Sequence, residues 1–208
     1  EGLTYLFVGS DNPTPVLYRV NVTAHAIDKQ NSGPLDSVRA PTIYWPWTQG
    51  VYVADYSGRM HGVNAWSTEF TNLPGFPFNS GAFSITTMAS VEFFWWNAET
   101  KLVYADTGGN LHILGITGTA FAYNPGSGPY PIQLGGGVAI ESSPLPDNTG
   151  LIYVGNNNGK VFIVNESTKG VIKTYSFGAG IKIGDISRDG ENNRYLIPTS
   201  AGKIYYLQ

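Results

Sequence analysis

The sequence predicts an all-β fold, and three observations carry that reading. Aromatic residues are abundant (13 Tyr, 10 Phe and 5 Trp), which favours strands and argues against disorder. Only 13% of residues are charged, against about 25% in an ordinary globular chain, so Gly, Asn, Ser and Thr carry the polarity. Finally, one pattern recurs along the chain: an apolar strand, a short polar turn ending in Gly, and a second strand.

Four copies of this pattern are evident: "VYVADYSGRMHGVN", "LVYADTGGNLHIL", "IYVGNNNGKVFIVN" and "YLIPTSAGKIYYL". Their turn glycines are Gly58, Gly109, Gly159 and Gly202. A tight hairpin needs positive φ in its turn, which glycine adopts without a steric penalty. A looser first copy, "YLFVGSDNPTPVLYRVN", has "NPTP" in place of the glycine turn. A further strand follows each hairpin, clearest in "TKGVIKTYSFG", and a punctuated segment precedes it. About four short strands in roughly 45–50 residues is the content of a β-propeller blade. The expected organisation is a single propeller domain over 1–208, with units at 1–34, 35–80, 81–134, 135–179 and 180–208.

The run Phe93-Phe94-Trp95-Trp96 aligns with Ser142–Leu145 of the next copy, the position of the innermost strand. In a propeller both faces of a blade are covered, so strands need not alternate apolar with polar. These rings are therefore expected to fill the wedge between blades, with those nearest Asn97 offered to the surface. Trp95 and Trp96, with Tyr44, Trp45 and Trp47 of "YWPW", are the candidates for an interaction surface.

The fourth copy is similar to the quinoprotein-type (PQQ-like) β-propeller repeat. It carries Ser142-Ser143-Pro144, Ile152-Tyr153-Val154-Gly155, Gly159-Lys160-Val161 and Val164-Asn165, and closes with Thr168, Gly170, Tyr175 and Phe177. Tyr175 stands where the family usually has a docking Trp. The resemblance implies blades rather than an activity. The family contains quinone-dependent dehydrogenases, a scaffold lipoprotein of outer-membrane barrel assembly, and propeller domains of pilus-tip adhesins. The dehydrogenases use eight blades, a vicinal Cys pair and an acidic Ca²⁺ site. This chain has no Cys and is shorter, so the resemblance implies the non-enzymatic branch, with no cofactor.

The remaining candidates are few. His61 and His112 each follow a turn glycine by three residues, but Phe162 and Tyr205 hold that position in later copies. The position accepts any ring, so a structural role is expected. "GDISRDGENN" offers Asp185, Asp189 and Glu191 as a weak calcium candidate, with spacing unlike an EF-hand. Asn21 and Asn165 begin the sequons Asn-Val-Thr and Asn-Glu-Ser and are glycosylation candidates. There is no nucleophile elbow, phosphate loop or Lys/Arg cluster, and no apolar run near 20 residues long.

These absences argue against catalysis, nucleic-acid binding and membrane insertion. The expected role is a non-catalytic extracellular or cell-surface domain. It would adhere, or form part of a pilus, filament or surface assembly, with other protein chains as partners. The alternative is a lectin-like or enzymatic propeller with a central or blade-edge pocket. Strand counting leaves the first unit without an inner strand and the last without an outer one. Leu3–Val8 and Lys203–Leu207 are therefore expected to lie together or to pair with strands from outside.

Overall fold

The computed structural model describes residues 4–11, 15–31, 33, 36–46, 49–81, 83–87, 90–94, 99–117, 122–124, 131–190 and 194–207. Among them there is no helix. Nineteen short strands form five antiparallel sheets that follow one another along the chain. Sheet 1 is β1 (Tyr5–Gly9), β2 (Leu17–Asn21) and β3 (Ala26–Asn31). Sheet 2 is β4 (Ile43–Trp45), β5 (Gly50–Ala54), β6 (Arg59–Asn64) and β7 (Phe78–Asn79). Sheet 3 is β8 (Ser90–Phe94), β9 (Glu99–Ala105), β10 (Asn110–Thr117), β11 (Ala122–Asn124) and β12 (Ile132–Gln133), the last two both on β10. Sheet 4 is β13 (Leu145–Pro146), β14 (Leu151–Gly155), β15 (Lys160–Asn165) and β16 (Val171–Ser176). Sheet 5 is β17 (Ser187–Asp189), β18 (Arg194–Pro198) and β19 (Ile204–Leu207).

The four repeat glycines occupy equivalent turns, with φ of +83° at Gly58, +80° at Gly109, +70° at Gly159 and +72° at Gly202. The residue opening each turn donates its N–H to the carbonyl four residues on: Asp55 to Arg59, Asp106 to Asn110, Asn156 to Lys160 and Thr199 to Lys203. Most of the "NPTP" turn lies outside the described residues.

Each sheet packs a face on the next, giving four apolar layers in chain order. Phe7 and Leu17 meet Val51, Val53 and Val63 between sheets 1 and 2. Tyr52, Ala54 and Met60 meet Leu102, Tyr104 and Leu114 between sheets 2 and 3. Val103, Leu111 and Ile113 meet Ile152, Val154 and Phe162 between sheets 3 and 4. Tyr153, Val161 and Ile163 meet Ile183, Tyr195 and Ile197 between sheets 4 and 5. The inner sheets are thus covered on both faces, which is why β5 and the middle of β15 read as unbroken apolar runs.

The alignment of Phe93–Trp96 with Ser142–Leu145 is corrected by strand register. Ser90 pairs with Val103 as Leu145 pairs with Tyr153, and Val91 with Leu102 as Pro146 with Ile152. The true counterpart of Ser142 is Thr87. Ser142 Oγ bridges the N–H and carbonyl of Gly155, and Thr87 Oγ1 does the same at Ala105. Three extra pairs, Glu92–Lys101, Phe93–Thr100 and Phe94–Glu99, lengthen the β8–β9 hairpin. Comparison of the residues alone does not reveal that insertion. Phe93 and Phe94 end β8, while Trp95 and Trp96 lie outside the described residues, as do the side chains of Phe93 and Phe94.

Among the described residues the two ends of the chain do not pair with each other. Among the described residues β1 pairs as a strand only with β2, and β19 only with β18, while the Phe7 carbonyl of β1 also accepts from Thr42 Oγ1 at 3.0 Å.

Candidate functional site

The two histidines belong to buried hairpin locks. Asp55 Oδ1 accepts from the backbone N–H groups of Ser57 and Arg59, and Oδ2 accepts from Arg59 Nε and, at 2.8 Å, from His61 Nε2. Asp106 repeats this with Gly108, Asn110 and His112 Nε2, the last again at 2.8 Å. A carboxylate only accepts, so Nε2 carries the proton in both pairs. Burial pushes the Asp55 carboxyl up, but bonds from His61, Arg59 and Asp36 outweigh it and hold the group well below the usual carboxylate range. Asp106 is held low by the same balance, through His112 and Asn110. Both imidazoles and both carboxylates are enclosed, so they offer no face to a substrate. Sequence reading took the rings as structural but missed their acids, which the shared spacing D-x5-H displays.

Further buried polar bonds tie neighbouring sheets together. Arg19 pairs with Asp28 at 2.6 Å and donates to the Ala65 carbonyl across sheets 1 and 2. Lys101 reaches Glu166 from sheet 3 to sheet 4, and Lys169 lies 3.2 Å from the same carboxylate. Tyr195 donates to Asp147 at 2.8 Å across sheets 4 and 5.

The interaction candidates part company. Neighbours on a strand point to opposite faces, and Tyr44 and Trp45 do so on β4. Tyr44 stacks on Phe7 of sheet 1, at 6.0 Å between centroids, whereas Trp45 packs into the layer between sheets 2 and 3. Trp47, Trp95 and Trp96 lie outside the described residues. Trp66, which sequence reading passed over, sits beside Tyr44 and donates from Nε1 to its hydroxyl at 3.0 Å.

Asp185 accepts from Ser143 N–H at 2.6 Å, Asp189 ends β17, and Glu191 lies outside the described residues. Among the described residues no three acidic or His side chains come together as a metal site would require. Asn21 and Asn165 each accept a turn N–H, from Ala24 and Thr168, both at 2.9 Å. No helix among the described residues is long and apolar enough to cross a membrane.

Apolar side chains are exposed on the outer faces of the two end sheets. Sheet 1 exposes Leu6 (55%), Val8 and Ile27, and sheet 5 exposes Ile204 and Tyr206 (63%). Superposing the repeat registers makes Leu6, Val8, Tyr18 and Val20 the counterparts of Ile152, Val154, Phe162 and Val164, which face sheet 3 from sheet 4. Leu196, Ile204 and Tyr206 are likewise the counterparts of Tyr153, Val161 and Ile163, which face sheet 5. The end faces keep the apolar character of faces buried elsewhere in the same chain.

Solved structures share this arrangement. The chain superposes on a computationally designed protein, Ika8, with a TM-score of 0.71 and 11% identity, over 98% of this chain and 56% of the other. It also superposes on BamB from Moraxella catarrhalis, with a TM-score of 0.63 and 17% identity, over 98% of this chain and 54% of the other. The fold is of the β-propeller type. At these identities the likeness concerns the fold alone, and the chain spans just over half the length of the structures it matches. No protein-family model matches it, and no curated protein matches its sequence. The outer faces of sheets 1 and 5 have no neighbouring sheet among the described residues.

Proposed function

We propose that this propeller chain is a non-catalytic scaffold for protein–protein assembly, working at the cell surface or outside the cell. One observation carries the reading: the two end faces are built from the residue set that is buried between blades elsewhere. An exposed apolar sheet face is an assembly surface by its physics, because covering it removes apolar area from water. The partner that suits it is another β-sheet, laid on Leu6 and Val8 at one end or on Ile204 and Tyr206 at the other. The enclosure of both Asp–His pairs supports a scaffold rather than a catalyst. Adhesion, or membership of a pilus or filament, is the finer form of this proposal.

Light scattering coupled to size exclusion tests it. The mass should exceed that of one chain and rise with concentration. Placing Lys at positions 6 and 206 together should return it to a single chain without loss of folded structure, since neither side chain is buried. A single-chain mass at every concentration, unchanged in the double variant, would overturn the proposal.

A further inference from the structure

The crevice between sheets 1 and 2 carries a ring cluster that the fold itself does not require. Trp66 is 48% exposed and Tyr44 37% exposed. The indole meets Tyr5 edge to face at 5.5 Å and 74°, and Tyr44 at 6.4 Å and 81°. Behind them Phe7 stacks between Tyr44 and Phe70, at 6.0 and 6.1 Å. The Arg19 guanidinium closes the back, 5.0 Å from the Tyr5 ring centre, with its charge met by Asp28. Asn64 Oδ1 accepts from the N–H groups of Trp66 and Ser67, which fixes the turn that presents the indole. The rings are therefore held in place before any ligand arrives.

Packing alone does not explain them. In sheet 4, Pro146 stands at the register of Tyr44, and Ser167 at the register of Trp66. An inter-blade crevice of this chain closes without rings at either place. Placing an indole there and leaving half of it in water exposes apolar surface that covering would stabilise. The cluster's one cation is already paired and buried, so no exposed charge calls for an ionic ligand. What remains is apolar ring surface edged by the Tyr44 hydroxyl. That combination suits a molecule with one C–H-rich face and a periphery of hydroxyls.

We propose that Trp66, flanked by Tyr44 and Tyr5, is a carbohydrate-binding site whose indole stacks on the C–H face of a pyranose ring, with the Tyr44 hydroxyl bonding at its edge. The site is independent of the end-face assembly, because Tyr5 and Phe7 point to the side of β1 opposite Leu6 and Val8.

Native gel electrophoresis through gels containing soluble polysaccharide tests this, with galactomannan, xyloglucan, hydroxyethylcellulose, a β-1,3-glucan and pullulan as probes. At least one should retard the protein. Trp66→Ala should weaken that retardation about tenfold or more, the scale of losing a stacked ring. Trp66→Phe should restore part of it, and Tyr44→Phe, which removes only the hydroxyl, should weaken it while leaving the circular-dichroism melt unchanged. Retardation by none of the probes overturns the proposal, as does retardation that Trp66→Ala and Tyr44→Phe both leave intact. A change in mass with no change in retardation also overturns it, and assigns the rings to a protein contact.

Discussion

At the scale of single residues, the Asp–His pairs show how this chain uses charge without chemistry. Each carboxylate gathers donors from its own hairpin, and each imidazole is held by that carboxylate. In the fourth copy Asn156 and Phe162 take the two places, and Asn156 Oδ1 still accepts from Asn158 and Lys160. Replacing His112 by Phe alone leaves Asp106 short of a donor in a buried site, which should cost about 1–3 kcal/mol in a denaturant titration. Adding Asp106→Asn should recover part of that loss, because the pair then matches the fourth copy. The acids also set a pH dependence. Both folded carboxyls titrate below the unfolded value of about 3.9, so their stabilisation is complete above that value and fades as pH falls beneath it. The unfolding midpoint should drop on going from about pH 5 to 3, and Asp55→Asn should flatten the slope. Equal slopes in wild type and variant would remove the carboxyl from this role.

At the scale of elements, the repeat glycines look alike in sequence but differ in surroundings. All four need positive φ, yet a Cβ on Gly159 would run into the Gly178 carbonyl, whereas one on Gly202 meets open space. Gly202→Ala should therefore cost only the left-handed backbone penalty of about 1–2 kcal/mol. Gly159→Ala should cost clearly more, because backbone has to shift as well. Thermal melts of the two variants compare them directly, and equal losses would mean that the turns relax alike. Between elements, Lys101 and Glu166 join sheets 3 and 4. Glu166→Ala leaves two lysines around an empty place and should cost about 3–5 kcal/mol, as breaking a buried ion pair does. A loss below about 1 kcal/mol would put that pair in the class of exposed bridges.

At the scale of the whole molecule, the pattern of cover explains both stability and proposed role. Four apolar layers lie between five sheets, and the outermost faces repeat the same residue types without a neighbour. Burying one such aliphatic side chain is worth about 1.5–3 kcal/mol, so a partner sheet over several of them is strongly favoured. Proteolysis offers a further check. Within an assembly, β1 and β19 should be protected, whereas in the Leu6 and Tyr206 double variant they should be cut first. Cleavage that begins in sheets 3 or 4 would contradict this order.

The sequence by itself determined what depends on local rules. Turn glycines, the strand–turn–strand period and the all-β class were legible because positive φ and apolar runs are properties of neighbouring residues. The ring position shared by His61, His112, Phe162 and Tyr205 could also be read, and so could the acids beside the first two, once the spacing is noticed. The tertiary structure alone decided the rest. The five-residue lengthening of the β8–β9 hairpin is a matter of register, invisible to comparison of the residues alone. Tyr44 and Trp45 are adjacent in sequence, yet β4 turns one into the crevice with sheet 1 and the other into the layer with sheet 3. Trp66 gave no signal because its partners, Tyr5 and Tyr44, lie 61 and 22 residues away. Which apolar residues stay uncovered is set by the neighbours of each sheet. The same strand pattern is core in sheet 4 and surface in sheets 1 and 5.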